Sequence, residues 1–377
     1  VCAVRKSAPA TVVSTARWAA RGMRVTVLKL GSLFDGIGVF PLAAVHCGME
    51  PVWASEIEAR PISITKRHFP DMLHLGDITK ISGAEIPPVD VITFGSPCQD
   101  LSQIGTRNGF AGKKSSLFYQ AMRIIEEMRY ATNGRYPAFT VWENVAGAFS
   151  SNDRLDFAAM LSAFTGAEVS VPPRGWAHAG MVRGGRADTA WRLLDAQYWG
   201  EPALAQRRKR VFVVADFAGQ RAGEVLFKPR TVFPFSAIGS SGGLSATQRG
   251  GVPAAQTGRQ VPIVRPFSLR RMRTMAQVGD QKGFCASFGR GGEPFPTLLA
   301  SVTAPFSFWY EGEEQDGFLR VLTPLECERL MGLPENWTKY GCKNEEISDH
   351  ARYRALGNSI ALPCAEYVMA GIAEVMN

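Results

Sequence analysis

From residue 24 to about residue 216, short apolar runs alternate with longer stretches of helical spacing, and this alternation restricts the fold more than any other feature of the chain. Residues 25–33, 51–55, 89–94, 139–142 and 211–215 are the short runs, each of a length that suits a buried strand. Between them, Leu117, Ala121, Ile124, Ile125 and Met128 share one side of a helix over residues 117–128, and residues 155–164 repeat the pattern. Strands separated by helices assemble into an α/β fold with a mostly parallel sheet covered on both faces. Ligands of such sheets bind where loops leave the carboxyl ends of the strands. Chemistry is therefore expected on those loops.

Beyond residue 217 the pattern weakens. Gly, Pro, Ser and Arg become frequent, with Gly239, Gly242, Gly243, Gly250 and Gly251 punctuating the segment. Residues 24–218 are expected to form one domain and residues 219–319 a second, smaller and irregular one with short strands. Two helical stretches, 324–331 and 361–375, are expected to return over residues 320–377 to the first domain. Residues 1–23 are small, polar and basic, and are expected to be an extension.

Charge sharpens the division. Residues 225–292 contain ten Lys or Arg against one acid, Asp280, an excess larger than the +8 of the whole chain. Such a segment suits a polyanion, since neutralised phosphates release counterions; a solvated basic face has the same composition. Seven scattered cysteines without a C-x-x-C pair argue against a disulfide framework and against a zinc site, so no metal is expected. No apolar run approaches the length of a membrane helix and no secretory signal is present, so the expectation is a cytoplasmic protein.

Four short segments carry candidate chemistry. The turn Phe34-Asp35-Gly36-Ile37-Gly38 directly follows the first strand. Its glycines let a ligand approach backbone where a Cβ would collide. Glu56 follows the second strand, 18 residues past Gly38, where doubly wound folds place a carboxylate on ribose hydroxyls. Pro41 occupies the place of a third fingerprint glycine, and no Lys-Ser or Lys-Thr pair follows. A nucleoside without a pyrophosphate fits this turn, although an ordinary tight turn uses the same residues.

Gly95-Ser96-Pro97-Cys98-Gln99 follows the third strand and puts a thiol at the active rim of the sheet. Trp142-Glu143-Asn144-Val145 ends the fourth strand and brings a carboxylate to the same rim. A buried apolar cysteine and a solvated or capping acid are the plainer alternatives. Gln206-Arg207-Arg208-Lys209-Arg210 leads into the fifth strand, where Arg208 and Arg210 share a face if the strand has begun.

In this order and on these loops, the segments resemble the motifs of the bacterial and phage DNA cytosine-5 methyltransferases. Gly76-Asp77-Ile78 is similar to the family's adenine-binding step. Arg320-Val321-Leu322-Thr323-Pro324-Leu325-Glu326-Cys327 resembles a structural helix start, and Gly357-Asn358-Ser359-Ile360 the last cofactor motif. The resemblance implies a Rossmann-like methyltransferase sheet, a target-recognition domain, and S-adenosylmethionine as cofactor. It places Phe34, Asp35, Gly36, Ile37, Gly38, Glu56, Ile57, Asp77, Ile78, Pro97, Leu117, Asn358 and Ser359 around that cofactor. It makes Cys98 the nucleophile that adds to cytosine C6, with Glu143, Arg208 and Arg210 supporting the flipped base. Gln99, Ser102, Asn144, Val145 and Gln206 would adjoin DNA, together with Arg270, Arg271, Arg273 and the Thr-Leu element Thr297-Leu298. The implied partner is double-stranded DNA, bound by a monomer; a restriction endonuclease acting on the same site would accompany it in a restriction–modification pair. An RNA cytosine methyltransferase with the same loop and a non-catalytic DNA-binding regulator are the rival readings. A recognition segment of about a hundred residues favours DNA over RNA, and the intact catalytic motifs favour an enzyme over a regulator.

Overall fold

The computed structural model describes residues 27–96, 117–228, 263–266, 295, 297–298, 306–310 and 317–377, with backbone alone for 263–266, 306–310 and 317–320. The expected N-terminal extension and most of the basic segment lie outside the described residues.

The first half is built by alternation. β1 (Lys29–Leu33), α1 (Val39–His46), β2 (Glu50–Ser55), α2 (Ala59–His68), β3 (Leu73–His74), β4 (Val91–Phe94), α3 (Leu117–Ala131), β5 (Phe139–Val145) and α4 (Leu155–Thr165) follow one another. β6 (Ala179–Arg183), β7 (Asp188–Asp195), β8 (Lys209–Asp216) and α5 (Ala222–Leu226) complete this half. The sheet has the order β3-β2-β1-β4-β5-β8-β7-β6. The five strands from β3 to β5 run parallel, while β8, β7 and β6 join antiparallel. The expected sheet is therefore present, with an antiparallel wing that periodicity did not reveal.

Alternation along the strands divides the core between two faces. Val91, Val141, Phe212 and Val214 face α1, α5 and the C-terminal helix, whereas Ile92, Trp142, Val211 and Val213 face α3 and α4. Three expectations shift. α1 went unrecognised because Val39, Phe40, Leu42, Ala43 and Ala44 are all buried, and a helix apolar on every side carries no stripe. β7 was hidden by Asp188 and Arg192, although Ala190, Trp191 and Leu194 are buried. α5 lies past the expected boundary at residue 218 and packs on β7, β8 and the last helix.

β9 (Ile263–Pro266), β10 (Phe306–Tyr310) and β11 (Gly317–Val321) make a separate three-stranded antiparallel sheet in the segment expected to have short strands. Then come α6 (Pro324–Leu330), α7 (Asp349–Asn358) and α8 (Leu362–Met376). α6 starts in a capping box: the Glu326 backbone N–H donates to Thr323 Oγ1, and the Thr323 N–H donates to Glu326 Oε2. α7 is an addition to the two helical stretches expected here. The wholly buried Glu328 carboxylate accepts from Asn336 N (2.8 Å), Thr338 N (2.9 Å) and Arg352 Nη2 (3.1 Å), which locks α6, α7 and the loop between them together. No single helix among the described residues is long and apolar enough to cross a membrane.

Candidate active site

The carboxyl ends of β1, β2 and β3 hold the residues expected around a nucleoside. Phe34, Gly36 and Gly38 all have positive φ, so the chain turns sharply out of β1 before entering α1. Thr65 Oγ1 donates to the Gly36 carbonyl at 3.1 Å and steadies the turn from α2. Glu56, just past β2, is itself held in place. Its Oε2 accepts from Gly36 N at 2.9 Å, and its Oε1 accepts from Ile57 N (2.7 Å) and Glu58 N (2.9 Å). Ile57 is 73% exposed, the most outward apolar side chain on this rim. Asp77 caps the short 3-10 turn Ile78–Lys80 through Thr79, and these hydrogen bonds lower its proton affinity. Ile78 is buried, and Leu117 stands half-buried at the start of α3.

Asp35 is the electrostatic oddity of this end. Both carboxyl oxygens are buried without a hydrogen bond of good geometry. Burial pushes its pKa up to about 7; Ser32 and Thr65 oppose that rise, and neighbouring Glu56 reinforces it. A carboxyl left in this state is a ready site for a cation.

Two strands away, Glu143 lies inside β5 rather than on the loop after it. β4 separates β1 from β5, so about 10 Å divides the nucleoside turn from this carboxylate at the ordinary strand spacing. Glu143 is 9% exposed, and Arg210 Nε lies 3.0 Å from its Oε1. Burial raises the Glu143 proton affinity, while the Arg210 and Arg208 charges pull it back. Its neighbours fasten the root of the cysteine loop. Asn144 Nδ2 donates to the Ser96 carbonyl at 2.9 Å, and Trp142 Nε1 donates to Ser96 Oγ at 3.0 Å. Gly95 stands so close that a Cβ there would come within 3.1 Å of Glu143 Oε2. Val145 N donates back to Asn144 Oδ1, which fixes that amide. Pro97, Cys98, Gln99, Ser102, Arg270, Arg271 and Arg273 lie outside the described residues.

Arg210 reaches Glu143 because β8 runs antiparallel to β5, pairing Val145 with Arg210. The beginning of β8 thus meets the end of β5. Arg208 is placed differently from the expectation that it joins the catalytic group: it is 1% exposed, and its terminal nitrogens donate to the carbonyls of Leu298, Gly357 and Ser359. Gln206 is fully buried, and the Leu298 side chain is packed in the main core. A parallel bridge between Gln206 and Phe295 lays Phe295, Thr297 and Leu298 against the lead into β8. Thr297 remains part-exposed, with its Oγ1 donating to the Arg207 carbonyl at 2.7 Å. Asn358 is exposed at the end of α7, and Ser359 follows as its cap.

Sequence reading missed Trp337. Its Nε1 donates to the Ile37 carbonyl at 2.8 Å, joining the C-terminal segment to the turn across 300 residues of sequence. His68 stacks on it, with ring centroids 3.5 Å apart and planes 4° from parallel. Burial lowers the His68 pKa, and Nε2 donates to the Trp337 carbonyl, which can only accept. Arg354 of α7 reaches Glu58 at 2.7 Å and brings the last motif beside the same turn. A tryptophan in an irregular loop has no spacing that could have signalled this. Trp337→Phe is expected to raise the KM for S-adenosylmethionine about tenfold, because the buried Ile37 carbonyl loses its donor. Its kcat is expected to stay within about twofold; an unchanged KM in steady-state kinetics would show that the indole N–H does not hold the turn.

Comparison with known proteins gives the family. A family model described as C-5 cytosine-specific DNA methylase matches residues 28–230 and 266–374. The type II methyltransferase M.HhaI of Haemophilus parahaemolyticus is 23% identical over 94% of this chain and 97% of its own length. A protein of Escherichia phage P1 named as a DNA N-6-adenine-methyltransferase is 24% identical over 90% of this chain, which spans 60% of the phage protein's length. Among solved structures, the S. pombe Dnmt2 methyltransferase shares the fold with a TM-score of 0.57 at 15% identity, covering 93% of this chain and 99% of its own. With most of its length matched by one family model around this turn, carboxylate and arginine, the chain belongs to the C-5 cytosine-specific DNA methylases, enzymes that methylate cytosine in DNA from S-adenosylmethionine.

Proposed function

We propose that this chain methylates C5 of a cytosine flipped out of duplex DNA, through a transient bond between Cys98 and cytosine C6. The observation that carries this reading is the joint between the Glu143 strand and the root of the Cys98 loop. Asn144 and Trp142 both grip Ser96, and two peptide units cannot carry the Cα of Cys98 more than about 7 Å from that of Ser96. The root of the Cys98 loop and a buried carboxyl of raised proton affinity thereby share one rim, which supports this reading.

S-adenosylmethionine supplies an electrophilic methyl group on a sulfonium. The turn fits it: Glu56 is preset to receive ribose hydroxyls, and the unpartnered Asp35 carboxyl offers a counter-charge to a cationic ligand. The remaining candidate contacts are Phe34, Ile37, Ile57, Asp77, Ile78, Asn358 and Ser359.

Cytosine C5 is a weak nucleophile until C6 is saturated. The Cys98 thiolate adds at C6 and moves electron density toward N3 and C5. Glu143, whose proton affinity burial raises, serves as the proton donor at N3 and relieves that charge. Arg210, braced on Glu143, faces the base carbonyl. S-adenosylhomocysteine would leave as the methyl group passes to C5, and loss of the C5 proton to water then restores the ring double bond and expels the Cys98 thiolate. Neither carbon is accessible in stacked DNA, so the base must leave the helix at a cost of a few kcal/mol. Phosphate contacts from the basic segment 225–292 offset that cost.

Incubation with labelled S-adenosylmethionine and either duplex DNA or tRNA tests the substrate class, and bisulfite sequencing of an expressing host identifies base and motif together. Label in DNA as 5-methylcytosine is expected. Label only in tRNA, or on adenine, would refute the reading.

Asp35 gives the cofactor assignment its own pH signature. Ionised Asp35 attracts a cation and protonated Asp35 does not, so affinity for S-adenosylhomocysteine, which retains the ammonium group, is expected to rise from pH 6 to pH 8. Asp35→Asn is expected to bind about tenfold more weakly at pH 8 and to lose the pH dependence. Without ligand the sign reverses. The folded chain keeps a proton between the ordinary 3.8 and about 7 that the unfolded chain releases, so stability falls as pH rises through that window. Calorimetric titrations at the two pH values check the affinity; identical pH profiles for both proteins would remove Asp35 from the cofactor site.

A further inference from the structure

The short turn Ile78–Lys80, which follows β3, is braced from α3 by one side chain. Arg123 Nη2 donates to the Ile78 carbonyl at 3.0 Å, and its Nη1 donates to the Ile81 carbonyl at 2.9 Å. The guanidinium is aimed from its own helix: Nε donates to Gln120 Oε1 at 2.9 Å, and Nη1 lies 2.9 Å from Glu127 Oε1. Glu127 reaches the same stretch directly, its Oε2 accepting from Gly83 N at 2.7 Å. Gly83 stands so close to α3 that a Cβ there would collide with the Ile124 carbonyl. A single turn has few backbone bonds of its own, so these contacts decide where it sits.

The other end of the turn is tied to the sheet. Leu75 N donates to the Ala54 carbonyl at 2.8 Å, and Ser55 Oγ donates to the Gly76 carbonyl at 2.7 Å. Between the two anchors lies Asp77. Its Oδ1 accepts from Thr79 N at 2.9 Å and from Thr79 Oγ1 at 2.8 Å, while Oδ2 takes no hydrogen bond among the described residues. An ionised carboxylate only accepts, so it favours a base edge that carries N–H over one that carries a carbonyl oxygen.

We infer that Arg123 is a positioning residue for the purine of the cofactor: by fixing the Ile78–Ile81 turn it holds Asp77 where it meets the exocyclic amine of adenine and turns away a 6-oxo purine. The inference rests on the functional reading above, which puts the cofactor at these strand ends. With the methionine portion at Asp35 beyond β1 and the ribose at Glu56 beyond β2, the base extends to the end of β3, the next strand outward. Arg123 acts through the turn, from the α3 side.

The test is the affinity of the full chain for S-adenosylhomocysteine and for S-inosylhomocysteine, its 6-oxo counterpart, by calorimetry. The wild-type chain is expected to prefer the amino compound by about 10²-fold. In Arg123→Met, which keeps the aliphatic stem and removes both donors, the preference is expected to fall below about tenfold, with kcat at saturating S-adenosylmethionine within about twofold of wild type. A merely structural role would weaken both compounds equally and leave the preference intact. Glu127→Gln removes the charge that aims Arg123, while its amide oxygen can still accept from Gly83 N. It is expected to lower the preference in the same direction, and it carries the test should Arg123→Met not fold. A preference retained in the folded variants, or a wild-type chain that binds both compounds equally, would overturn the inference and leave the functional reading standing. A wild-type chain that binds neither compound would overturn both.

Discussion

Cys98→Ser is expected to lower methyl transfer by at least about 10⁴-fold, the scale on which covalent catalysts lose turnover when the nucleophile is removed. The hydroxyl is similar in size, but its anion is far less available at neutral pH and its oxygen far less polarisable than sulfur. The loop is held at its root by Asn144 and Trp142 through Ser96, contacts that do not involve residue 98. DNA affinity and melting temperature should therefore stay close to wild type. The covalent bond has its own readout. Duplex DNA with 5-fluorocytosine at the target has no C5 proton to lose after methylation, so the wild-type chain should remain attached through denaturing electrophoresis. The serine variant should not. Turnover of Cys98→Ser within tenfold of wild type, or an equally stable adduct, would reassign the nucleophile.

Glu143→Gln is expected to reduce kcat by about 10²–10³-fold, the contribution of one well-placed general acid. The amide matches the carboxyl in volume, and its oxygen can still accept from Arg210, so the change removes the transferable proton and little packing. Burial is the largest influence on Glu143 and raises its proton affinity against two arginines that oppose it. The sign follows: a group needed in its protonated form fails as pH rises through its pKa. Wild-type kcat should decline on the alkaline side, and the glutamine variant should be slow but without that decline. An identical alkaline limb in both proteins would show that another group controls it.

Much of the fold could be read from local pattern. Strand runs at 51–55, 89–94, 139–142 and 211–215 became β2, β4, β5 and β8 with ends moved by a few residues, because period-two burial is written in each strand separately. The 117–128 and 155–164 helices are amphipathic and correspond to α3 and α4. Elements without a stripe escaped notice: α1 is buried from Val39 to Ala44, β3 has two residues, and β7 conceals its buried face behind Asp188 and Arg192. Within the site, the turn at 34–38, Glu56 and Glu143 stood out because each follows or closes a strand. Arg208 and Arg210, two positions apart in one basic run, looked alike in sequence. In the molecule one is buried against carbonyls and the other pairs with Glu143.

That difference marks the boundary between the two levels of information. Residue order alone specified an α/β sheet, a glycine turn after its first strand, and a carboxylate beside the root of the Cys98 loop on successive strand ends, since these follow from short-range sterics and periodic burial. Which arginine would face the carboxylate depended on β8 entering the sheet antiparallel, and the support of the turn depended on Trp337, 300 residues from Ile37. Such contacts carry no local signature. They form because a buried donor or charge must find an acceptor somewhere, and the nearest acceptor exists only after distant segments have packed.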